Sequence, residues 1–486
     1  MDHILSWVTF LPLLGAAVIL FVPPAAKNLI RWIAVATSFV TLILGVWIFV
    51  AFDRSNAGIQ FAERAPWIQA FNIEYYLGID GLSAPMLILT TLLCFLCIPA
   101  SWGIEKGVKG YMALFLLLET GMIGVFAALD FFLFYIFWEV MLLPMYFLIG
   151  IWGGPRREYA AIKFFLYTLL GSVLMLLAIL ALYFSHTPHT FDMVRLMAEN
   201  SYARTFQIVV FLAFFIGFAI KVPVFPFHTW LPDAHVEAPT AVSVILAGVL
   251  LKMGTYGFLR VNYPMLPQAA LWFAVPMAVL GVINIVYGAL CAMAQKDLKK
   301  LVAYSSISHM GFCLLGFAAF TSAGLNGGVL QMFNHGTTTA MLFLLVGVIY
   351  DRAHHRDIDG FGGLAVRMPI YFGITSLAFF ASLGLPGLSG FISEALCLIG
   401  AFPVHRTLTI IATVGIVLTA AYFLWTLQRM FLGPLNEKYK TLPEINAREI
   451  FTLAPLGAIV IILGIYPMPV LNLMSASLNQ LAAMFH

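Results

Sequence analysis

Charge is what this chain has least of. Only 10% of its 486 residues are Asp, Glu, Lys or Arg, while 62% are hydrophobic and 15% aromatic. A soluble domain carries about 25% charged residues, so too little charge is present to coat a water-facing surface. The length alone would suggest about three soluble domains, and the composition overrides it. With 43 Phe and a mean hydropathy of +0.97, intrinsic disorder is excluded too. The net charge of +3 is spread along the chain and builds no polyanion-binding surface.

Cysteine is scarce as well. The five (Cys94, Cys97, Cys291, Cys313, Cys397) all lie in apolar runs. Cys94 and Cys97 form a C-x-x-C with no second pair nearby, so they read as small buried hydrophobes rather than a metal or redox pair. No P-loop, no G-x-G-x-x-G after a strand and no iron–sulfur cysteine cluster is present. No metal site is expected. The N-terminal apolar stretch has no basic flank or small-residue cleavage site, which reads as a retained first span.

What is present is hydrophobic length. A spanning helix needs about 20 mainly apolar residues. Candidates fall near 4–22, 29–51, 82–103, 110–129, 130–152, 162–184, 206–226, 238–259, 268–289, 301–320, 327–350, 369–403, 406–430 and 450–470. The expected fold is therefore an all-α polytopic membrane protein of about 14 helices. Helix 7 is broken by Pro223 and Pro226, and helix 12 by Gly384-Leu385-Pro386-Gly387-Leu388-Ser389-Gly390. These breaks lie five spans apart, so the two helices run in opposite directions. That matches two inverted five-helix repeats, although no residue-level similarity joins them. The expected units are 1–109, 110–260, 261–432 and 433–486.

Loops after odd-numbered helices carry 17 Lys and Arg, and those after even-numbered helices carry six, with Arg260 counted among the six. The positive-inside rule puts the rich face in the cytoplasm and both termini on the other side.

An ionisable group at membrane depth costs a few kcal/mol at least and is a functional hypothesis by default. Glu119, Glu139, Lys221, Lys252 and Glu394 lie within predicted spans, joined by His309 and His335 in polar helices. Glu119 reads equally well as half of a structural ion pair, and each histidine as a satisfied core residue. Two acids and two lysines beside broken helices are harder to explain as glue. In a low-dielectric site a lysine holds its proton less tightly, and an approaching carboxylate restores the grip. Glu139 and Lys221 are the candidate modulating pair; Lys252, the histidines and Glu394 extend a proton relay bridged by water.

At these residues the chain resembles the antiporter-like membrane subunits of respiratory complex I (NADH–quinone oxidoreductase), most of all their M-type group. The matching segments are Leu77 through Ser83, Phe137 through Tyr146, Lys221 through Pro239, Gln295 through Ser306, and Gly384 through Glu394. The resemblance implies 14 helices with an inverted repeat, and proton transfer driven by redox chemistry elsewhere. It implies that Glu139 tunes Lys221, that Lys252 is the connecting lysine, and that Glu394 stands where sibling subunits carry lysine. His228, His309 and His335 fit the family's polar axis. No cofactor is expected in this chain; FMN, iron–sulfur clusters and quinone belong to partner subunits. The expected partners are the other membrane subunits, especially L and N, in a bacterial inner (plasma) membrane. The alternatives are a subunit of a cation/proton antiporter or membrane-bound hydrogenase complex, a passive scaffold, and a solute transporter.

Overall fold

The computed structural model describes residues 3–199 and 201–485. Among the described residues, thirteen helices are long and apolar enough to cross a membrane. Those nearest the site are the third (Ser83–Ala100), fourth (Val108–Ala127), fifth (Phe131–Trp152), seventh (Arg204–Lys221), eighth (Thr240–Met265), tenth (Leu298–Ala318) and eleventh (Ser322–Ala353). Two shorter apolar helices, Pro369–Ser382 and Ser389–Ala401, stand where the broken twelfth was expected.

The burial pattern is that of a protein solvated by lipid. The most apolar window of the second span is 28% buried, while those of the more polar eighth and eleventh are wholly buried. Leu166, Leu170 and Leu177 of the sixth span (Arg157–Phe184) point outward. Outer helices thus offer leucine to hydrocarbon, and the polar helices are kept inside.

Both expected breaks are present, and backbone and side-chain partners take up polar groups they free, as membrane depth requires. The seventh span stops at Lys221 and a second helix runs over Trp230–Glu237. Asn284 bridges the gap, accepting from Phe225 N at 2.8 Å and donating to Pro223 O at 3.0 Å. The Trp230 indole donates to Ile220 O at 2.8 Å. In the twelfth segment, Gly384 and Gly387 take φ of 79° and 92°, which a side chain would oppose. The eighth span carries Lys252 on an α-helical stretch, Leu251–Gly257, held between two π-helical ones, Leu246–Leu250 and Phe258–Asn262. Such wide turns often mark functional positions.

Two elements were not anticipated. An antiparallel hairpin, β1 (Gln60–Ile68) and β2 (Ile73–Ile79), follows the second span (Lys27–Ala51). A helix over Met468–Ala483 follows the last span (Ala447–Ile465). Both are short beside a chain of 20-residue apolar runs, whose signal dominates the reading. One assignment is corrected: Arg260, counted as a loop residue, is buried within the eighth span, because the helix runs on to Met265.

Candidate functional site

The first half of the molecule presents Glu139 and Lys221. Lys221 is the last residue of its helix, 2% exposed, with Nζ 5.3 Å from the Trp138 ring centre and 5.7 Å from that of Phe164. The two rings give the cation favourable faces where no water surrounds it. Glu139 follows Trp138 and lies within electrostatic reach of Lys221, although the two form no ion pair within 4.0 Å among the described residues. Its buried Oε1 has no hydrogen-bond partner. The carboxylate is therefore near its lysine without being locked to it.

Lys252 lies at the centre. Its Nζ donates to Ala247 O, in the first π-helical turn, and to His335 Nδ1, both at 2.6 Å. With an ammonium as donor, Nδ1 of His335 is the acceptor and the ring proton sits on Nε2. The eighth span reaches the seventh through Gly254: a Cβ there would lie 2.6 Å from Phe218 O and 3.0 Å from Val222 N. Glycine is what lets the helix of Lys252 pack beside the end that holds Lys221.

The line continues into the second half. The His335 and His309 rings lie 5.8 Å apart, and His309 Nδ1 is 2.9 Å from Glu394 Oε1. Gln331 Nε2 donates to the same carboxylate at 3.3 Å. Asn334 holds the break in place by donating to Ser389 O at 2.8 Å and Ser393 Oγ at 3.2 Å. Gly390 allows the two half-helices to meet, since a Cβ would sit 2.2 Å from Ala381 O. A cavity of about 10 Å³, the size of one water, lies among His309, His335 and Glu394. The Nε2 atoms of both histidines have no protein partner. Lys252, His335, His309 and Glu394 thus form one continuous polar line.

Two candidates stand apart from it. His228 stacks on Phe225 at 5.6 Å, lies against Tyr287 at 5.3 Å, and is within electrostatic reach of Lys163. Glu119 is fully buried in the fourth span with both carboxyl oxygens unpartnered, near Cys94 and Cys97.

Sequence reasoning missed three groups. His235 is fully buried, has both ring nitrogens unpartnered, stacks on Phe343 at 4.5 Å, and has Lys299 and Lys252 as electrostatic neighbours. Lys299 was counted among loop cations. Asp297 caps the tenth helix by accepting from Lys299 N and Lys300 N, so the helix begins at Leu298 and turns Lys299 inward onto Ala238 O. Lys299 and Glu237 line a cavity of about 460 Å³ on the lysine-rich face. The third group is the pair Arg260–Asp80. Burial opposes the charge of Asp80, but the Arg260 guanidinium and the N–H groups of Ser83 and Leu82 hold its carboxyl below the usual carboxylate range. The histidine in a Trp-Leu-Pro-Asp-Ala-His run and the lone acid in Gly-Ile-Asp-Gly were the available signals.

Residues 128–419 match the family described as NADH:quinone oxidoreductase/Mrp antiporter, and residues 10–125 match NADH-ubiquinone oxidoreductase chain 4, amino terminus. NADH-quinone oxidoreductase subunit M of Rhodobacter capsulatus is 46% identical, over 100% of this chain and 98% of the relative. A chain of respiratory complex I from Thermus thermophilus superposes with a TM-score of 0.90 at 30% identity, covering 98% of this chain and 99% of that one. A chain of the Mrp complex from Dietzia sp. DQ12-45-1b shares the fold, with a TM-score of 0.86 at 22% identity over 99% and 98% of the two chains.

Proposed function

The chain belongs to the antiporter-like membrane subunits of NADH:quinone oxidoreductase, in the subunit M group, and from that membership and the site geometry we propose how it carries protons. It is a proton-translocating, multi-pass membrane subunit of this oxidoreductase and works among other membrane subunits. In the proposed route, protons enter from the lysine-rich face, taken as the cytoplasmic one. They pass the Lys299 cavity with His235, and Lys221, to reach Lys252, cross through His335 and His309, and leave through Glu394. Glu139 sets how firmly Lys221 holds its proton as the cycle turns. The halves 110–260 and 261–432 act as inverted repeats, their matched breaks being the support. FMN, iron–sulfur clusters and quinone are assigned to partner subunits, and subunits L and N to the neighbouring positions in a bacterial inner membrane.

The single observation that supports the route is the contact line Lys252–His335, His309–Glu394, built across four helices at membrane depth. A structural role for these groups would want closed ion pairs, whereas Glu139 and Lys221 are left open to each other. The test is NADH-driven acidification in membrane vesicles carrying Glu139→Ala or Lys221→Ala, with assembly checked on native gels. The relay predicts an assembled complex whose acidification is lost, in line with the roughly hundredfold or larger effect of removing a proton-transfer group. Wild-type acidification in an assembled complex would refute it. Repeating the assay with sodium as the only transportable cation tests the antiporter alternative.

A further inference from the structure

The shortest way out for a proton on Lys252 is not the lateral one. Lys252, Tyr256 and Arg260 follow one another at four-residue spacing, so one polar face of the eighth span descends about 12 Å from Lys252 toward the lysine-poor surface. The Lys252-to-Glu394 route of the preceding subsection, on which this inference depends, requires that this direct descent be closed.

Arg260 stands across it. Its Nη1 donates to Asp80 Oδ2 at 2.8 Å, its Nη2 to Asp80 Oδ1 at 2.5 Å and Ser83 Oγ at 3.0 Å, and its Nε to Tyr256 Oη at 3.0 Å. The Tyr256 hydroxyl donates onward to Phe126 O at 3.2 Å. Asp80 Oδ1 also accepts from Leu82 N and Ser83 N. Arg260 and Asp80 are 5% and 7% exposed. Beyond them the rings of Tyr263, Phe320 and Phe485 close together, with centres 4.7, 5.7 and 4.3 Å apart. The other end of the same helix borders the 460 Å³ cavity at Thr240 and Ala241. One end of the eighth span is open to water and the other is plugged.

The chemistry of the plug suits a barrier. A proton travels along a hydrogen-bond chain only if each member takes up one proton and gives up another. A guanidinium does not release its proton in a protein, and an arginine fixed in a narrow path repels protons and other cations. The oxygens of Asp80 are filled by donors from Arg260 and the backbone. We propose that the Arg260–Asp80 pair is a proton seal, which closes the direct exit beneath Lys252 and commits the proton to His335. The guanidinium, charged and unable to give up its proton, is the active element; Asp80 holds it in place and makes its burial tolerable.

Proteoliposomes containing the assembled complex, given an imposed pH gradient without NADH, test this. With Arg260→Gln the gradient is expected to collapse. Arg260→Lys, which keeps a cation but one that can give up its proton when buried, is expected to leak as well. The double variant Arg260→Gln/Lys252→Met is expected to be tight again, because the leak runs through Lys252. Should Arg260→Gln fail to assemble, Arg260→Gln/Asp80→Asn leaves no buried charge unpaired and is expected to leak in the same way. A tight Arg260→Gln complex, or a leak that survives Lys252→Met, overturns the seal. Neither result touches the relay, which stands or falls on acidification by the Glu139 and Lys221 variants.

Discussion

His309 and Glu394 touch at 2.9 Å in a cavity that fits one water, so a proton needs no large side-chain movement to pass between them. Glu394→Gln preserves volume and hydrogen bonding but removes the titrating oxygen. The expected outcome is an assembled complex with acidification reduced at least roughly a hundredfold, the low end for loss of a proton-transfer group; vesicle assays with a pH-sensitive dye check it. Asp130, which caps the fifth helix by accepting from Phe132 N and Leu133 N, offers a pH prediction outside the membrane. Burial, with Glu74 as a like-charged neighbour, raises its carboxyl to about 6 against backbone N–H bonds that lower it. The folded value lies above the unfolded one, so its contribution to stability is full below the ordinary 3.8 and lost as pH rises through about 6. Asp130→Asn should therefore raise thermal stability relative to wild type at pH 7 more than at pH 5. Equal changes at both pH values would contradict this.

At the scale of elements, the breaks were legible and the hairpin was not. Two prolines after Lys221 and the Gly/Pro run before Glu394 cannot be threaded through a helix, so their meaning survives any tertiary context. The helix ends were harder. Lys299 and Arg260 read as loop charges because a charge is cheaper in water. Each is drawn inside by a partner distant in sequence, Ala238 O for one and Asp80 for the other. No local pattern announces such partners. The hairpin carries a similar long-range device: Glu63 of β1 accepts from Leu5 N at 2.6 Å and Ser6 N at 3.2 Å, capping the first span (Ile4–Phe21) from 58 residues away. Glu63→Ala should cost about 1 kcal/mol of local stability, as loss of a helix N-cap does. Hydrogen exchange at the Leu5 and Ser6 amides reports it: faster exchange confined to that end is expected, and unchanged exchange would contradict the cap.

At the scale of the whole molecule, scarcity of charge gave the membrane class and the placement of the remaining charges gave the site. Five ionisable groups read as intramembrane from sequence: four of them are proposed relay members, and Glu119 stays unassigned. Burial adds Arg260 and Lys299 to that inventory and takes one charge from the loop count of each face, which leaves the asymmetry between the two faces intact. The proposed orientation follows from that asymmetry. Ser55 and Lys438 are both exposed, and the proposed topology places them on opposite faces. A cysteine placed at Ser55 should react with an impermeant maleimide from outside intact cells, and one at Lys438 only after the membrane is opened. The reverse pattern would invert the topology.

The central claim is that Lys252, His335, His309 and Glu394 act as one line. It is tested most directly by the number of protons moved per NADH oxidised by the assembled complex carrying Lys252→Met, Glu394→Gln or both. Groups that act in series are non-additive, so each single variant should lower the ratio and the double should lower it no further. A wild-type ratio in Lys252→Met, or losses that add in the double, would contradict the line.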